Sequence, residues 1–198
     1  MSNLDFEIAR SLPVQLKSNM LSELQERYTH KARSLNIKPS ARRLFVSIES
    51  QTCWLDSDDD PLTRTFRVST GTRPPSNQEG SNGTPTGLHR IQEKIGGGSR
   101  VGTVFKGRVS IGKQYEELDH KDREPNLITT RILWLSGLEP GHNQGPGHDS
   151  YERYIYFHGT NHEDKIGEPS SGGCIQLLNT EIIELFDLTT LGDHVYIS

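Results

Sequence analysis

Cysteine is nearly absent from this 198-residue chain: Cys53 and Cys174 are the two it has, so no framework of several disulfides can staple it. Cys53 falls in an apparent strand and Cys174 in a glycine turn with a histidine upstream, a context that favours two free thiols. Nor is there a hydrophobic run approaching the length of a membrane span. Neither sign of charge dominates: 22 Lys and Arg against 26 Asp and Glu, scattered along the chain, give a net charge of −4. No basic stripe is present to neutralise phosphates, so nucleic acid is not an expected partner. Internal repeats are missing, and so is the alternation of strands with long helices that marks a doubly wound sheet. The first ten residues, Met1 to Arg10, carry acidic groups and no continuous apolar stretch, so they do not read as a secretory signal. That leaves a cytoplasmic protein, or a longer gene product whose leader this chain lacks.

What the chain does have is 19 glycines, 10 prolines and an apolar fraction of 31%, which describes a loop-rich globular protein rather than a disordered one. From Leu12 to about Leu35, Leu16, Met20, Leu21, Leu24, Tyr28 and Leu35 recur at helical spacing, predicting an amphipathic helix that ends before Pro39 and covers part of the main core. The period then changes. Short extended runs at 43–48, 52–55 and 65–70 read as strands; further strands are expected at 88–91, 103–105, 128–135, 153–157 and 194–197. The acidic run Asp58-Asp59-Asp60-Pro61 lacks the spaced oxygen ligands of a calcium loop and reads as a solvated turn. Residues 71–87 and 137–150 form glycine-rich loops. Asn179 or Thr180 is placed to cap a helix whose apolar face is Ile182, Ile183, Leu185 and Phe186.

Several motifs stop short of chemistry. Residues 107–114 come within one residue of a phosphate-binding loop, but Gln114 stands where a Ser or Thr would hold magnesium. His142, His148, His158 and His162 follow no zincin spacing, so no metal site is expected. Asn82-Gly83-Thr84 has the form of a glycosylation acceptor and reads as a turn.

The pair His158 and Cys174 is different. An apolar run, Tyr154 to Phe157, delivers His158 to a strand end, and a Gly/Pro/Ser-rich loop returns the chain to Ser171-Gly172-Gly173-Cys174-Ile175-Gln176. A thiol attacks carbonyls as its thiolate, so a working cysteine needs a nearby proton acceptor, and His158 is the candidate. The glycines beside Cys174 offer uncovered N–H groups of the kind an oxyanion site uses. Spacing alone leaves open a buried structural cysteine and a strand-end histidine with no joint role.

The C-terminal half resembles the catalytic core of L,D-transpeptidases of the YkuD type, whose signature is a strand ending in His-Gly, a loop, then Ser-His-Gly-Cys, an apolar residue and Arg. Here His158-Gly159-Thr160 matches the first part, and Ser171, Gly173, Cys174 and Ile175 the second. Upstream, Val68-Ser69-Thr70-Gly71 and Thr84-Pro85-Thr86-Gly87 resemble further family segments, so the likeness runs from about Arg43 to Ile197. It implies a mainly β fold, sandwich-like or a mixed sheet, with one helix after the catalytic cysteine. Residues 1–40 would be an N-terminal helical extension and residues 41–198 the catalytic domain.

The resemblance further implies that Cys174 is the nucleophile and His158 the general base, with the Gly159 carbonyl orienting the imidazole. Gly173 and Cys174 would supply oxyanion N–H groups, and Ser171, Gly172, Gln176 and Tyr156 would line the substrate. Two positions depart from the family: Gly172 stands in place of a second histidine, and Gln176 in place of an arginine. A neutral Gln cannot copy the bidentate fork of arginine, which makes Arg131 and Arg153 candidate substitutes. The implied activity is acyl transfer on peptidoglycan stem peptides without metal or organic cofactor, in a family expected in the periplasm or cell envelope. A non-catalytic peptidoglycan-binding module with a degenerate site is the alternative. The sequence carries no signal for an oligomeric state.

Overall fold

A computed structural model describes residues 14–60 and 62–198. The reading of Met1 to Arg10, the expected helix start at Leu12, and Pro61 of the acidic turn lie outside the described residues.

Helix α1 (Val14–Ser34) buries Leu24, Tyr28 and Ala32, a stripe at intervals of four that is one face of an α-helix. Its basic last turn, Lys31 and Arg33, complements the negative end of the helix dipole. Asn36, at φ 54°, reverses the chain just beyond the helix, where the Ile37 N–H donates to the Ala32 carbonyl at 2.8 Å.

One curled, mixed sheet of ten strands forms the body of the fold. Its strands are β1 (Arg42–Ser47), β2 (Thr52–Ser57), β3 (Arg64–Arg67), β4 (Gly87–Ile95), β5 (Thr103–Lys106), β6 (Val109–Gln114), β7 (Ile128–Gly137), β8 (Tyr156–Gly159), β9 (Ile175–Leu177) and β10 (His194–Ile197). The order β3-β2-β1-β10-β4-β7-β5-β6 continues from β7 to β8 and from β8 to β9. Two pairs, β1 with β10 and β8 with β9, are parallel; the others are antiparallel. The mainly β architecture is therefore as the sequence implies.

Alternation along the strands separates two faces. Leu44, Val46, Leu133, Leu135, Phe157, Ile175, Val195 and Ile197 point into the main core, where helix α3 (Asn179–Leu188), which follows the one-turn α2 (His120–Arg123) in the chain, adds Ile182, Leu185 and Phe186. On the opposite face Phe45, Trp54, Leu88 and Tyr196 pack against α1. Burying each such large side chain stabilises the fold by roughly 1.5–3 kcal/mol. Helix α1 is also tied by polar contacts. The Tyr28 hydroxyl meets His194 Nδ1 at 2.8 Å, and Lys31 Nζ pairs with the buried Glu139 carboxylate at 2.7 Å.

Three local expectations need correction. The segment 107–114 is not a loop opening a helix: Gly107 and Arg108 make the two-residue turn joining β5 to β6. The expected strand at 153–157 begins only at Tyr156, because Tyr154 takes a left-handed φ of 57° that interrupts an extended run. Neither Asn179 nor Thr180 caps α3; the N-cap is Leu178. Asn179 instead turns inward, where its Oδ1 accepts from the Thr129 hydroxyl at 2.6 Å and from the Thr130 hydroxyl, while its Nδ2 donates to the Thr160 carbonyl at 2.8 Å. The Glu163 carboxylate takes over the capping by accepting the Asn179 backbone N–H at 2.6 Å.

Burial also fixes charge states. His89 is wholly enclosed, its Nδ1 donating to the Gly87 carbonyl at 3.0 Å and its Nε2 accepting from the Ser150 hydroxyl at 2.9 Å. Burial holds both His89 and His158 down to about 4. An unfolded histidine titrates near 6.5. Above that pH neither state binds the extra proton. Between about 6.5 and 4 only the unfolded state does, so stability falls as the pH is lowered, by about 3 kcal/mol for each of the two histidines. Urea unfolding from pH 7 to pH 4.5 should show this decline, with a shallower slope in His89→Gln; a free energy flat across that window would contradict the assignment.

Candidate active site

Two strand ends and one tight loop build the site. The loop 171–174 is closed by Ser171, whose hydroxyl donates to the Cys174 carbonyl at 2.6 Å and accepts the Gly173 N–H at 3.1 Å. Gly173 has φ 119°, and a Cβ there would stand 3.1 Å from the Gly83 carbonyl oxygen, so glycine is required. Gly172 differs: it is exposed and nothing lies within 4 Å of a Cβ built on it, so no close contact requires glycine there. The segment 69–72 holds this loop through paired backbone bonds, Ser69 with Gln176 at 2.9 and 2.8 Å, and Thr70 and Thr72 with Ser171, each at 3.0 Å.

Beyond the loop, β9 runs parallel to β8 with Phe157 opposite Ile175 and His158 opposite Gln176. Phe157 and Ile175 both enter the main core. Their neighbours therefore point to the other face: Tyr156 and His158 from β8, Cys174 and Gln176 from the β9 side. Cys174 thus stands beside Tyr156 and diagonal to His158 on one surface.

His158 is 4% exposed. Its Nδ1 lies 2.7 Å from the Gly159 carbonyl oxygen. A carbonyl can only accept, so Nδ1 carries the proton and Nε2 keeps its lone pair. Gly159 is itself constrained, since a Cβ would fall 2.4 Å from Asn179 Oδ1. Burial lowers the imidazole to about 4, opposed by the Gly159 hydrogen bond, so it is neutral at physiological pH.

The Cys174 thiol packs against the cluster of Phe105, Ile132, Trp134 and Tyr156 and donates to the Tyr154 carbonyl at 3.4 Å. Burial pushes it up to about 11, against the opposing pull of a backbone hydrogen bond from Tyr156 and the charge of Arg153. On the order of one thiol in ten thousand is then ionised at pH 7. The resting pair is thiol and neutral imidazole, with the thiol's proton directed to Tyr154 rather than to His158. The other cysteine, Cys53, is free, fully buried and raised further by the same cause.

The other candidate residues divide. Gln176 is buried and engaged: its Nε2 donates to Asn126 Oδ1 at 2.6 Å and its Oε1 accepts from the Ser170 hydroxyl at 3.0 Å. Arg153 reaches the thiol's electrostatic environment, but its guanidinium donates to the Ser76 and Gly83 carbonyls and the Ser81 hydroxyl. Arg131 is not brought to this surface. It lies over the Phe186 ring and donates to the Ser99 and Thr130 carbonyls.

Sequence reasoning missed the aromatic wall of Trp134, Tyr151 and Tyr154 and the arginine lying on it. Trp134 stacks on Tyr151 with centroids 4.0 Å apart, and Arg108 lies over the Trp134 and Tyr154 rings. A signal existed: three of the six tyrosines fall within 151–156. Among the described residues no cluster of His, Cys, Asp or Glu is arranged to hold a metal ion, and no helix is long and apolar enough to cross a membrane.

The model of the YkuD-type L,D-transpeptidase catalytic domain matches residues 41–197, and the chain belongs to this family. No curated protein matches the chain. Among solved structures, L,D-transpeptidase 3 from Mycobacterium tuberculosis is similar at TM-score 0.50 and 14% identity, over 80% of this chain and 61% of that one. An L,D-transpeptidase from Mycobacterium smegmatis has TM-score 0.46 and 16% identity, over 80% and 58%. The Enterococcus faecium L,D-transpeptidase C442S mutant has TM-score 0.48 and 14% identity, over 81% and 50%. At such identities the likeness is one of fold, and this chain spans between half and about three fifths of the length of these proteins.

The thiol's elevated pKa has a direct readout. Alkylation of Cys174 by iodoacetamide should accelerate about tenfold per pH unit from pH 7 to 9.5 without levelling, while Cys53 stays unmodified in the folded protein. A plateau near pH 7 would show instead that the thiol is already ionised.

Proposed function

We propose that this chain is a cysteine acyltransferase on peptidoglycan stem peptides. Cys174 attacks the carbonyl of the third residue, a diaminopimelate at its L-centre, and expels the terminal D-alanine to leave a thioester. The acyl group then passes to an amine, giving a cross-link or an exchanged D-amino acid, or to water, giving an L,D-carboxypeptidase.

The observation that carries this reading is that Cys174, the residue before β9, and His158, in the parallel neighbour β8, each adjoin a residue committed to the core, Ile175 and Phe157, and so fall on the opposite face, with the His158 tautomer fixed by Gly159. A histidine whose Nδ1 proton is held by a carbonyl keeps Nε2 as an acceptor, which is the form a general base needs. Since both groups rest neutral, the thiol proton leaves as the sulfur–carbonyl bond forms rather than beforehand. Substrate entry would first turn that proton from Tyr154 to His158. After attack, the imidazolium returns the proton to the departing amine of D-alanine, and the neutral histidine is restored.

The tetrahedral oxygen would be met by the Cys174 N–H. The Gly173 N–H can join only by leaving the Ser171 hydroxyl that it now contacts. Ser171 acts as a positioning residue for the nucleophile loop, and Gln176 as a buried tie to Asn126 rather than a substrate anchor. Tyr156 and Arg153 border the thiol and complete the proposed substrate surface.

Incubation with a carbapenem should raise the intact mass by one adduct, absent in Cys174→Ala, and a tetrapeptide stem should release D-alanine. His158→Gln should lower D-alanine release by at least about 100-fold with Tm within a few degrees of the parent. If Cys174 neither acylates nor releases D-alanine at any pH from 6 to 9, the chain is better read as a peptidoglycan-binding module.

A further inference from the structure

The family's arginine after the cysteine is Gln176 here, and Gln176 is enclosed with both ends of its amide engaged. Arg131 lies away from the thiol, and Arg153 directs its guanidinium to three oxygens of the 76–83 loop. Arg108 is placed differently. It is the second residue of the Gly107-Arg108 turn between β5 and β6, and both turn residues have positive φ, 55° and 67°. Two-residue hairpin turns of that hand favour Asn or Gly, because an L side chain resists the left-handed region. A long cationic residue here works against its own backbone.

Its surroundings account for it. The guanidinium carbon lies 4.8 Å from the centre of the Trp134 ring and 4.6 Å from that of Tyr154. Its Nη1 donates to the Tyr156 hydroxyl at 3.3 Å, the one hydrogen bond Arg108 makes among the described residues. Arginine presents five N–H donors in a planar fork matched to a carboxylate. The three residues it rests on are those that border the thiol: Tyr154 accepts the Cys174 proton through its carbonyl, and Tyr156 and Trp134 belong to the cluster against which Cys174 packs. The side chain is half-buried.

We propose that Arg108 is the carboxylate-recognition residue of this site, its fork held at the hairpin tip by Trp134 and Tyr154 so that it receives a carboxylate of the peptide presented to Cys174. This assignment rests on Cys174 being the acyl-accepting nucleophile. A stem tetrapeptide has three carboxylates near the scissile carbonyl: the C-terminus of D-alanine, the far end of diaminopimelate and the α-carboxylate of the γ-linked D-glutamate before it. Each presents the same planar anion to the fork. Arg108 takes over the charge that Gln176 lacks, from a different element of the fold.

Two assays separate this claim from the proposed activity. The first uses no peptide: Cys174 is alkylated in parallel with iodoacetate and with its neutral analogue iodoacetamide. Any change in thiolate fraction cancels in the ratio of the two rates. Arg108→Asn, which suits the left-handed turn, should lower the iodoacetate-to-iodoacetamide ratio about tenfold at low salt, with Tm equal to or above that of the parent; Arg108→Lys should fall between. An unchanged ratio in Arg108→Asn would overturn the proposal whether or not the chain processes peptides.

The second assay compares D-alanine release from the tetrapeptide and from three versions of it, amidated at the C-terminus, at the far end of diaminopimelate or at the α-carboxylate of D-glutamate. The amide that abolishes the difference between parent and Arg108→Asn identifies the recognised carboxylate. A difference that persists with all three amides would contradict carboxylate recognition. If no peptide is turned over, the activity reading fails and the alkylation ratio alone decides the role of Arg108.

Discussion

The parallel pairing of β8 with β9 is the constraint on which the site depends. Parallel neighbours cannot be joined by a tight hairpin, so the chain must leave β8, cross, and return in the same direction. Here that return is fixed by bonds from outside the loop: Ser69 pairs with Gln176, Thr70 and Thr72 pair with Ser171, and Lys165 and Gly167 are held by the Ser69 hydroxyl. Once Phe157 and Ile175 are committed to the core, strand alternation leaves Cys174 and His158 no choice of face. A one-residue slip of β9 would carry the thiol into the apolar interior and Ile175 onto the site.

The same construction explains why the thiol and imidazole rest neutral. His158 is buried and Cys174 partly so at the strand ends that position them, and loss of solvent disfavours the charged form of each. The Gly159 carbonyl and the Arg153 charge moderate these shifts without reversing them. In the proposed reaction such a site keeps its thiol in the unreactive form until a substrate carbonyl is close enough for proton removal and bond formation to occur together. Positioning must then supply what a preformed thiolate would otherwise provide, and the dense bonding around Ser171, Gln176 and Asn179 is the physical means of that positioning.

Much of this was legible in the sequence, and the remainder was hidden for identifiable reasons. The helical recurrence of Leu24 and Tyr28 and the short extended runs that became β1 and β7 are displayed directly by the sequence. The pair His158 and Cys174 was visible through the His-Gly and Ser-Gly-Gly-Cys segments. Strand β9 was not, because three residues beside a glycine turn carry no period of their own and become a strand only by pairing with β8. Asn179 was read as a cap because its local sequence suits one, yet its amide serves a tertiary network with Thr129 and Thr160 that lies about 50 and 19 residues away in the chain. Arg108 was lost in a stretch resembling a phosphate loop, since cation–aromatic contact between a hairpin tip and distant strands leaves no local trace. Arg131 was drawn in because it falls in a strand expected beside the site, and it proves to be turned toward Ser99 and Phe186.

The central claim is that His158 stands ready as a neutral base with its Nε2 unprotonated, beside a thiol that has kept its proton. The most direct measurement is the pair of imidazole ¹⁵N chemical shifts of His158 in the intact protein at pH 7, with Cys174 in its free form. The account predicts one protonated nitrogen, Nδ1, and one bare nitrogen, Nε2, unchanged down to about pH 5. Two protonated nitrogens at pH 7 would reveal an imidazolium paired with a thiolate and would contradict it.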